Sequence, residues 1–171
     1  MKIVSSKEVY RCKVFGITED SAEDGKGHKI SRSVIRHPGS AVMVAADEKK
    51  RVLLVRQYRL PAGKYLWEFP AGTVDPGEKA AQTAKRELIE ETGLRAKKWK
   101  KLATFYPSPG YSAEKMTIFL ATELTQGESH PMDDESIETR WFSKKQVGEM
   151  IRSNEIVDAK TMVGFLYWAK L

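Results

Sequence analysis

The 171-residue sequence lacks several features that would assign it to a special class of protein. Its single cysteine, Cys12, can form neither an internal disulfide nor a zinc site alone, which excludes a disulfide scaffold and favours a reducing compartment. Its longest apolar runs, residues 41–46 and 52–55, are far too short to cross a bilayer. Residues 1–10 lack the apolar core of a signal peptide. These absences predict a cytoplasmic protein that does not use a membrane.

The remaining composition is that of one ordinary globular domain, with 41% hydrophobic residues and no repeat or low-complexity linker. The net charge of +6 would suit nucleic acid or an anionic small molecule. No stripe of arginines and aromatics supports nucleic acid, and the basic run 95–101 is typical of a solvated loop or strand edge. Acidic residues cluster at 87–91 and 133–138. An anionic small molecule is therefore the favoured partner.

Alternation of apolar residues predicts several strands between turn signals. Residues 8–17 read as one strand, and residues 40–59 read as a hairpin of two buried strands around the polar turn 47–50. Further strands are predicted at 65–74, 99–106, 115–124 and 139–142. Interspersed with helices, these strands predict a mixed sheet covered by helices, in the α/β class.

Three helices are expected. The first spans 78–92 and is ended by Gly93, which occupies the usual position of a C-terminal capping glycine. Ser143 and Gln146 form a capping box that opens a second helix through about Arg152. Asp158 can cap a third helix, whose predicted apolar face comprises Met162, Val163, Leu166 and Ala169.

Glu87, Glu90 and Glu91 lie on one face of the last turn of the first helix. Like charges at this spacing repel, and the negative end of the helix dipole adds a further cost, roughly 0.3–1 kcal/mol for each term. Such a cluster suits a hard divalent cation with oxygen ligands, Mg²⁺ or Mn²⁺. The alternative is a solvated acidic face paired with nearby bases: Lys85, Arg86 or Arg95.

The surrounding residues favour the cation site. Gly72, Glu78 and residues 86–94 resemble the Nudix box, G-x5-E-x7-R-E-U-x-E-E-x-G-U with U apolar, at every specified position. The resemblance implies the Nudix fold, an α/β/α sandwich around a mixed β-sheet. It also implies metal-dependent hydrolysis of a nucleoside diphosphate linked to another group.

Several positions of the motif have structural roles. Gly72 and Gly77 are expected to adopt backbone angles closed to other residues. Glu78 lies at the helix start, where an acid meets the positive dipole end and can hold Arg86 across the loop. Gly93, which ends the helix, is the last residue of the motif with a structural role.

The resemblance assigns the metal ligands to Glu87, Glu90, Glu91 and the backbone carbonyl of Ala71. Glu90 and Glu91 are also counted among the catalytic residues. Two or three Mg²⁺ ions, or Mn²⁺ in their place, are implied, with in-line attack on phosphorus by a metal-activated water.

Motifs outside the box resemble the ADP-ribose pyrophosphatase subfamily: residues 37–42, 55–59, 67–72 and 106–114. The implied reaction converts ADP-ribose and water into AMP and ribose 5-phosphate. In that subfamily a proline follows the box by about fifteen residues, and Pro109 occupies this place after Leu94.

Four residues are predicted to bind substrate: Arg59, Arg56, Glu68 and Pro109. The planar guanidinium of Arg59 fits phosphate oxygens, with a surface ion pair as the alternative. Arg56 lies on the opposite face of the strand from Arg59 by alternation. Glu68 contacts substrate or forms a structural hydrogen bond.

The resemblance also implies a catalytic glutamate within the loop 131–141. Alignment on Ile137 and Glu138 favours Glu135 as general base, followed by Asp133 and then Asp134. The alternative for each is a solvated loop acid.

Residues 1–36 are predicted to form a small N-terminal β-sheet extension that contributes to a homodimer interface, and residues 37–171 form the Nudix domain. Two rival functions stay open. One is hydrolysis of another nucleoside diphosphate sugar or of RNA 5′ ends. The other is a non-hydrolysing ADP-ribose sensor, although the metal-site acids are intact.

Overall fold

The computed structural model describes residues 1–127 and 137–171. The N-terminal part forms β1 (Lys2–Arg11), β2 (Gly16–Glu23), β3 (Lys29–Arg36), β4 (Ser40–Ala45), β5 (Arg51–Arg59), β6 (Lys64–Glu68) and β7 (Ala71–Thr73). There follow α1 (Ala80–Thr92), β8 (Leu94–Phe105), β9 (Met116–Gln126), β10 (Glu138–Ser143), α2 (Lys144–Arg152) and α3 (Ala159–Trp168).

Strand β4 lies inside a mixed four-stranded sheet of order β7-β4-β9-β8, where it runs parallel to β9 and antiparallel to β7. All six residues of β4 are buried, because helices cover both faces of the sheet. Met43 on one face packs in a cluster with Leu88 of α1, whereas Val42 and Val44 on the other pack in a cluster with Trp168 of α3. The predicted α/β/α sandwich is confirmed.

Strands β4 and β5 do not form the predicted hairpin. One bridge, Ala46 to Val52, joins them, and β5 then leaves to form a second sheet of order β10-β5-β6. Both edges of β4 are already bonded to β7 and β9, so β4 cannot pair with β5 along its length. The prediction of two buried strands was right, and their pairing was wrong.

The N-terminal residues form a third sheet of order β1-β2-β3. The single strand predicted over 8–17 is wrong, because Arg11 pairs with Gly16 and the connection between them is closed by a 2.9 Å hydrogen bond from Cys12 N–H to the Phe15 carbonyl. This sheet joins the rest of the chain at Ile35, which exchanges backbone hydrogen bonds of 2.8 and 2.9 Å with Tyr111 and Ala113. Every residue of β1 is exposed.

The helices differ from the predictions at their edges. Helix α1 begins at Ala80, two residues later than expected, and Gly93 ends it in the left-handed conformation with φ 70°. In α3 the core-facing positions include Gly164 and Trp168, whereas Leu166 is 59% exposed, contrary to its predicted place on the core face. Among residues 1–127 and 137–171, no helix has the length and apolarity needed to cross a membrane.

Candidate active site

Strand β7 approaches helix α1 closely at Gly72. An ideal Cβ built on Gly72 would lie 1.9 Å from Cδ of Glu87, a distance that no real Cβ tolerates. Gly72 does not adopt a positive φ, so the expectation of unusual backbone angles was wrong for this glycine and right for Gly77, whose φ is 85°. Glycine is needed at position 72 because the Glu87 side chain occupies the space of a β-carbon.

The three acids of α1 differ in their surroundings. The Glu91 residue is only 6% exposed, whereas the side chains of Glu87 and Glu90 are 16% and 41% exposed. Nη1 of Arg86 donates to Glu87 at 2.7 Å and to Glu90 at 2.9 Å, which brings these two carboxylates together. The predicted acidic face therefore has a guanidinium between two of its carboxylates and a third carboxylate buried behind them.

The other edge of Arg86 holds the loop that precedes α1. Its Nε and Nη2 donate to Glu78 at 3.2 and 3.1 Å, and its Nη2 lies 3.2 Å from Asp75. Hydrogen bonds from Arg86 and then from Thr83 lower the pKa of Glu78 to about 2, so this carboxylate is ionised at any physiological pH. The hydrogen bond to Glu78 likewise raises the pKa of Arg86. Arg86 thus fixes the loop against the helix.

The donor chemistry of these residues fits a hard divalent cation, which prefers carboxylate and carbonyl oxygens. Ala71 directly precedes Gly72, the residue whose missing β-carbon leaves room for the Glu87 side chain. Within the described part of the chain, no three acidic, histidine or cysteine side chains converge as a ready-made metal cluster. Arg86 engages one oxygen each of Glu87 and Glu90, and an ionised carboxylate has about four lone-pair sites, so these contacts and metal ligation are compatible.

Arg59 is anchored from behind by Glu68. The carboxylate of Glu68 is 1% exposed and accepts from Nε of Arg59 at 3.0 Å and from Nη2 at 2.6 Å. Burial alone would lower the pKa of Arg59, but the carboxylates of Glu68 and Glu91 outweigh it and raise that pKa. Arg59 therefore lies within the electrostatic reach of the acidic helix, and Glu68 forms the structural hydrogen bonds that were one of its two expected roles.

Sequence reasoning missed Lys160. Its side chain is buried, with Nζ 2.6 Å from Oε2 of Glu68 and 3.0 Å from Oδ1 of Asp158. A lysine in the first turn of a helix gives no signal of burial by itself. Its partner Glu68 is 92 residues away in the chain, and only the tertiary fold brings the two together.

The remaining predicted site residues are Arg56, Pro109 and the three general-base candidates. Arg56 stacks over Tyr65 with 5.1 Å from its guanidinium carbon to the ring centroid, and it pairs with Glu138 at 3.4 Å. Pro109 lines a cavity of about 530 Å³ beside the N-terminal sheet, and none of the three α1 acids lines it. The general-base candidates Glu135, Asp133 and Asp134 lie outside the described residues.

An α/β/α sandwich with a carboxylate-rich helix end, a glycine that admits one carboxylate and an anchored guanidinium defines a class of proteins suited to phosphorylated ligands. The NUDIX domain model matches residues 36–163, and the chain belongs to the NUDIX family.

Two relatives and one solved structure show how far the similarity extends. The chain is 33% identical over 168 residues to the ADP-ribose pyrophosphatase of Bacillus subtilis (strain 168), covering 97% of this chain and 91% of the relative. It is 34% identical over 142 residues to the CMP-5'-(N-acetyl-N-hydroxy-3-aminopropyl)phosphonate hydrolase of Streptomyces rubellomurinus (strain ATCC 31215), covering 82% and 68%. A crystal structure of an ADP compounds hydrolase superimposes with a TM-score of 0.84 at 21% identity, covering 99% of this chain and 94% of that one, which supports the fold.

Proposed function

We propose that this chain is a metal-dependent hydrolase that cleaves the pyrophosphate bond of ADP-ribose to give AMP and ribose 5-phosphate. The observation that carries the proposal is the pair of carboxylates, Glu87 and Glu90, that Arg86 holds together near the end of α1 beside Gly72 of β7. The similarity to an ADP-ribose pyrophosphatase along 97% of the chain supports this substrate.

The proposed metal ligands are Glu87, Glu90, Glu91 and the carbonyl of Ala71, and Mg²⁺ is the preferred ion, with Mn²⁺ as its substitute and two or three ions in all. When bound, such ions neutralise the diphosphate and lower the pKa of a coordinated water. The guanidinium of Arg59 binds a phosphate oxygen through the edge that faces away from Glu68. Glu90 and Glu91 are catalytic through this same ligation.

A general base is assigned to Glu135, with Asp133 and then Asp134 as substitutes. Its function is to accept the proton of the attacking water. This assignment rests on the sequence position alone, because the three acids lie outside the described residues.

A second candidate function is hydrolysis of another nucleoside phosphate conjugate. The relative that acts on a CMP phosphonate conjugate favours this candidate, because it is 34% identical to the chain. Both functions use the same metal site. They differ only in the chemical group that is attached to the nucleoside phosphate in the substrate. A substrate panel separates them.

The experiment incubates the protein with ADP-ribose, other nucleoside diphosphate sugars, CMP conjugates and capped RNA in Mg²⁺, and identifies the products by mass. AMP release from ADP-ribose well above the other substrates is expected, and it should be lost in the Glu91→Gln variant and in excess chelator. Glu149→Gln provides the matched control, because Glu149 is an exposed acid of α2 that pairs only loosely with Lys145, at 4.0 Å. Full activity in chelator would refute the metal site, and ligand binding without any product would identify a sensor.

The N-terminal sheet is proposed to cover a second copy of the chain in a homodimer. Strand β1 exposes four large apolar side chains: Ile3, Val4, Val9 and Tyr10. The apolar face of a sheet is buried by packing against another element, and a second copy of the chain would supply that element for β1. Light scattering at micromolar concentration should give twice the chain mass of 19.4 kDa, and a monomeric mass would contradict the dimer.

A further inference from the structure

A buried ionic network joins the first turn of α3 to the end of β6. Lys160 is 7% exposed and its Nζ contacts both Glu68 and Asp158, at 2.6 and 3.0 Å. Asp158 also caps α3, accepting from the Thr161 backbone N–H at 2.9 Å. The network links residues 92 positions apart.

Burying a lysine and a glutamate is costly, and apolar residues of similar size would commonly stabilise a fold as well. Departures of this kind from simple core packing are concentrated at functional sites. The network is therefore expected to have a role beyond stability, and its connection to Arg59 indicates what that role is.

Glu68 is the bridge between Lys160 and Arg59. Its Oε2 accepts both from Nζ of Lys160 at 2.6 Å and from Nη2 of Arg59 at 2.6 Å. Because Nε of Arg59 also donates to this carboxylate, Glu68 holds one whole edge of the guanidinium. The opposite edge consequently faces away from Glu68, and the charge of Glu91 is among those that raise the pKa of Arg59.

The same turn of α3 also holds the backbone that leads into the metal-site loop. The Phe69 N–H donates to Oγ1 of Thr161 at 2.8 Å, two residues before Ala71. Gly164, one turn further along α3, leaves room for the Phe69 ring, since a Cβ there would lie 2.9 Å from it. Helix α3 thus fixes both the Glu68 side chain and the chain that follows it.

We propose that Lys160 is a positioning residue that fixes Glu68, and through it Arg59, so that the guanidinium is oriented toward a diphosphate beside Glu91. The proposal rests on the proposed function for its ligand class. Without the ammonium group, Glu68 is held by Arg59 alone, and the pair can rotate together away from the phosphate position. Lys160 acts through these two residues and does not touch the substrate.

The test measures binding of imidodiphosphate in Mg²⁺ by isothermal titration calorimetry, with thermal unfolding as a parallel measurement. Lys160→Met should weaken binding about tenfold, a loss typical of removing a residue that orients a ligand-binding group. Lys160→Arg should restore binding to within threefold of the wild type, because it keeps a cation at Glu68. In the Arg59→Ala background, Lys160→Met should cause no further loss, because the two residues act through one contact.

A purely structural role predicts a lower melting temperature with unchanged affinity, and affinity within twofold of the wild type in Lys160→Met would overturn the proposal. The proposal would also be overturned if the losses of affinity caused by Arg59→Ala and by Lys160→Met multiplied in the double variant. If Lys160→Met does not fold, the charge-balanced pair Glu68→Gln with Lys160→Met replaces it, and the same tenfold loss is expected. A wild type that binds imidodiphosphate but releases no AMP from ADP-ribose would refute the proposed function, while the coupling between Arg59 and Lys160 is still measured.

Discussion

Replacing Gly72 by alanine should separate activity from stability. The alanine Cβ would lie 1.9 Å from Cδ and 2.1 Å from Oε1 of Glu87, so one of the two groups must move. Gly72 has no positive φ, and alanine therefore fits its backbone without strain. The clashing atoms, Cγ, Cδ and Oε1, all belong to the Glu87 side chain, which can rotate away by giving up its 2.7 Å hydrogen bond from Arg86. Arg86 then keeps its hydrogen bonds to Glu78 and Glu90.

The size of the movement sets the expected effect. Ordinary van der Waals contact begins near 3.4 Å, so the Glu87 carboxylate must retreat by about 1.5 Å. A misplacement of about 1 Å at a reacting centre can cost roughly 100-fold in rate. We therefore expect kcat/KM for ADP-ribose to fall about 100-fold, with a change of less than about 1 kcal/mol in the free energy of unfolding.

The assay compares AMP release over a Mg²⁺ titration with thermal unfolding for the wild type, Gly72→Ala and Gly25→Ala. Gly25 is the matched control, because its φ is not positive and a Cβ there meets no atom within 4 Å. In the Glu87→Ala background, the Gly72→Ala change should have no further effect on activity, since its clashing partner is gone. Wild-type activity in Gly72→Ala, or unfolding by several kcal/mol, would refute the steric argument.

Three further predictions concern the core, the buried carboxylate of Glu68 and the general base. Gly164→Ala should lower the free energy of unfolding by about 1–3 kcal/mol, measured by urea denaturation, because its Cβ would lie 2.9 Å from the Phe69 ring; a more stable variant would contradict this. Burial would raise the pKa of Glu68, but Arg59 and Lys160 outweigh burial and lower it, so its contribution to stability is present above about pH 4.3 and is lost as the pH falls through the folded-state pKa. The melting temperatures of wild type and Glu68→Gln should therefore converge on acidification below about pH 4, and a constant difference would refute this. Glu135→Gln should lower kcat by about 10²–10⁴, and a loss below about threefold would move the general base to Asp133 or Asp134.

The parts of the fold that depend on near neighbours could be predicted from the sequence. Helix α1 follows from apolar residues at helical spacing, and its end follows from Gly93, whose N–H closes the last turn on the Ile89 carbonyl. The cap of α2 likewise follows from Ser143 and Gln146, which stand three residues apart in one local motif. In both helices the hydrogen-bonding partners lie within a few residues of each other, so the local sequence pattern is enough to predict the structure.

Strand pairing could not be predicted in the same way. The apolar run 40–45 shows a buried strand, but its parallel partner β9 is more than 70 residues further along, and the short turn 47–50 suggested β5 instead. The surroundings of the site residues could not be predicted for the same reason. The spacing of Glu87, Glu90 and Glu91 pointed to a shared face, yet the burial of Glu91 and the contact of Lys160 with Glu68 depend on tertiary packing.

The pairing of Arg86 explains how α1 tolerates its acids and why they still favour a cation. One guanidinium is shared among Glu78, Asp75, Glu87 and Glu90, so the cluster keeps an excess of negative charge even before Glu91 is counted. Glu78 and Asp75 lie on the loop side, whereas Glu87 and Glu90 lie in the last turns, near the negative end of the helix dipole. Arg86 is fixed by the loop and cannot move further toward the helix end without releasing Glu78. The unbalanced negative charge therefore lies in the last turn of α1, where a divalent ion would neutralise it.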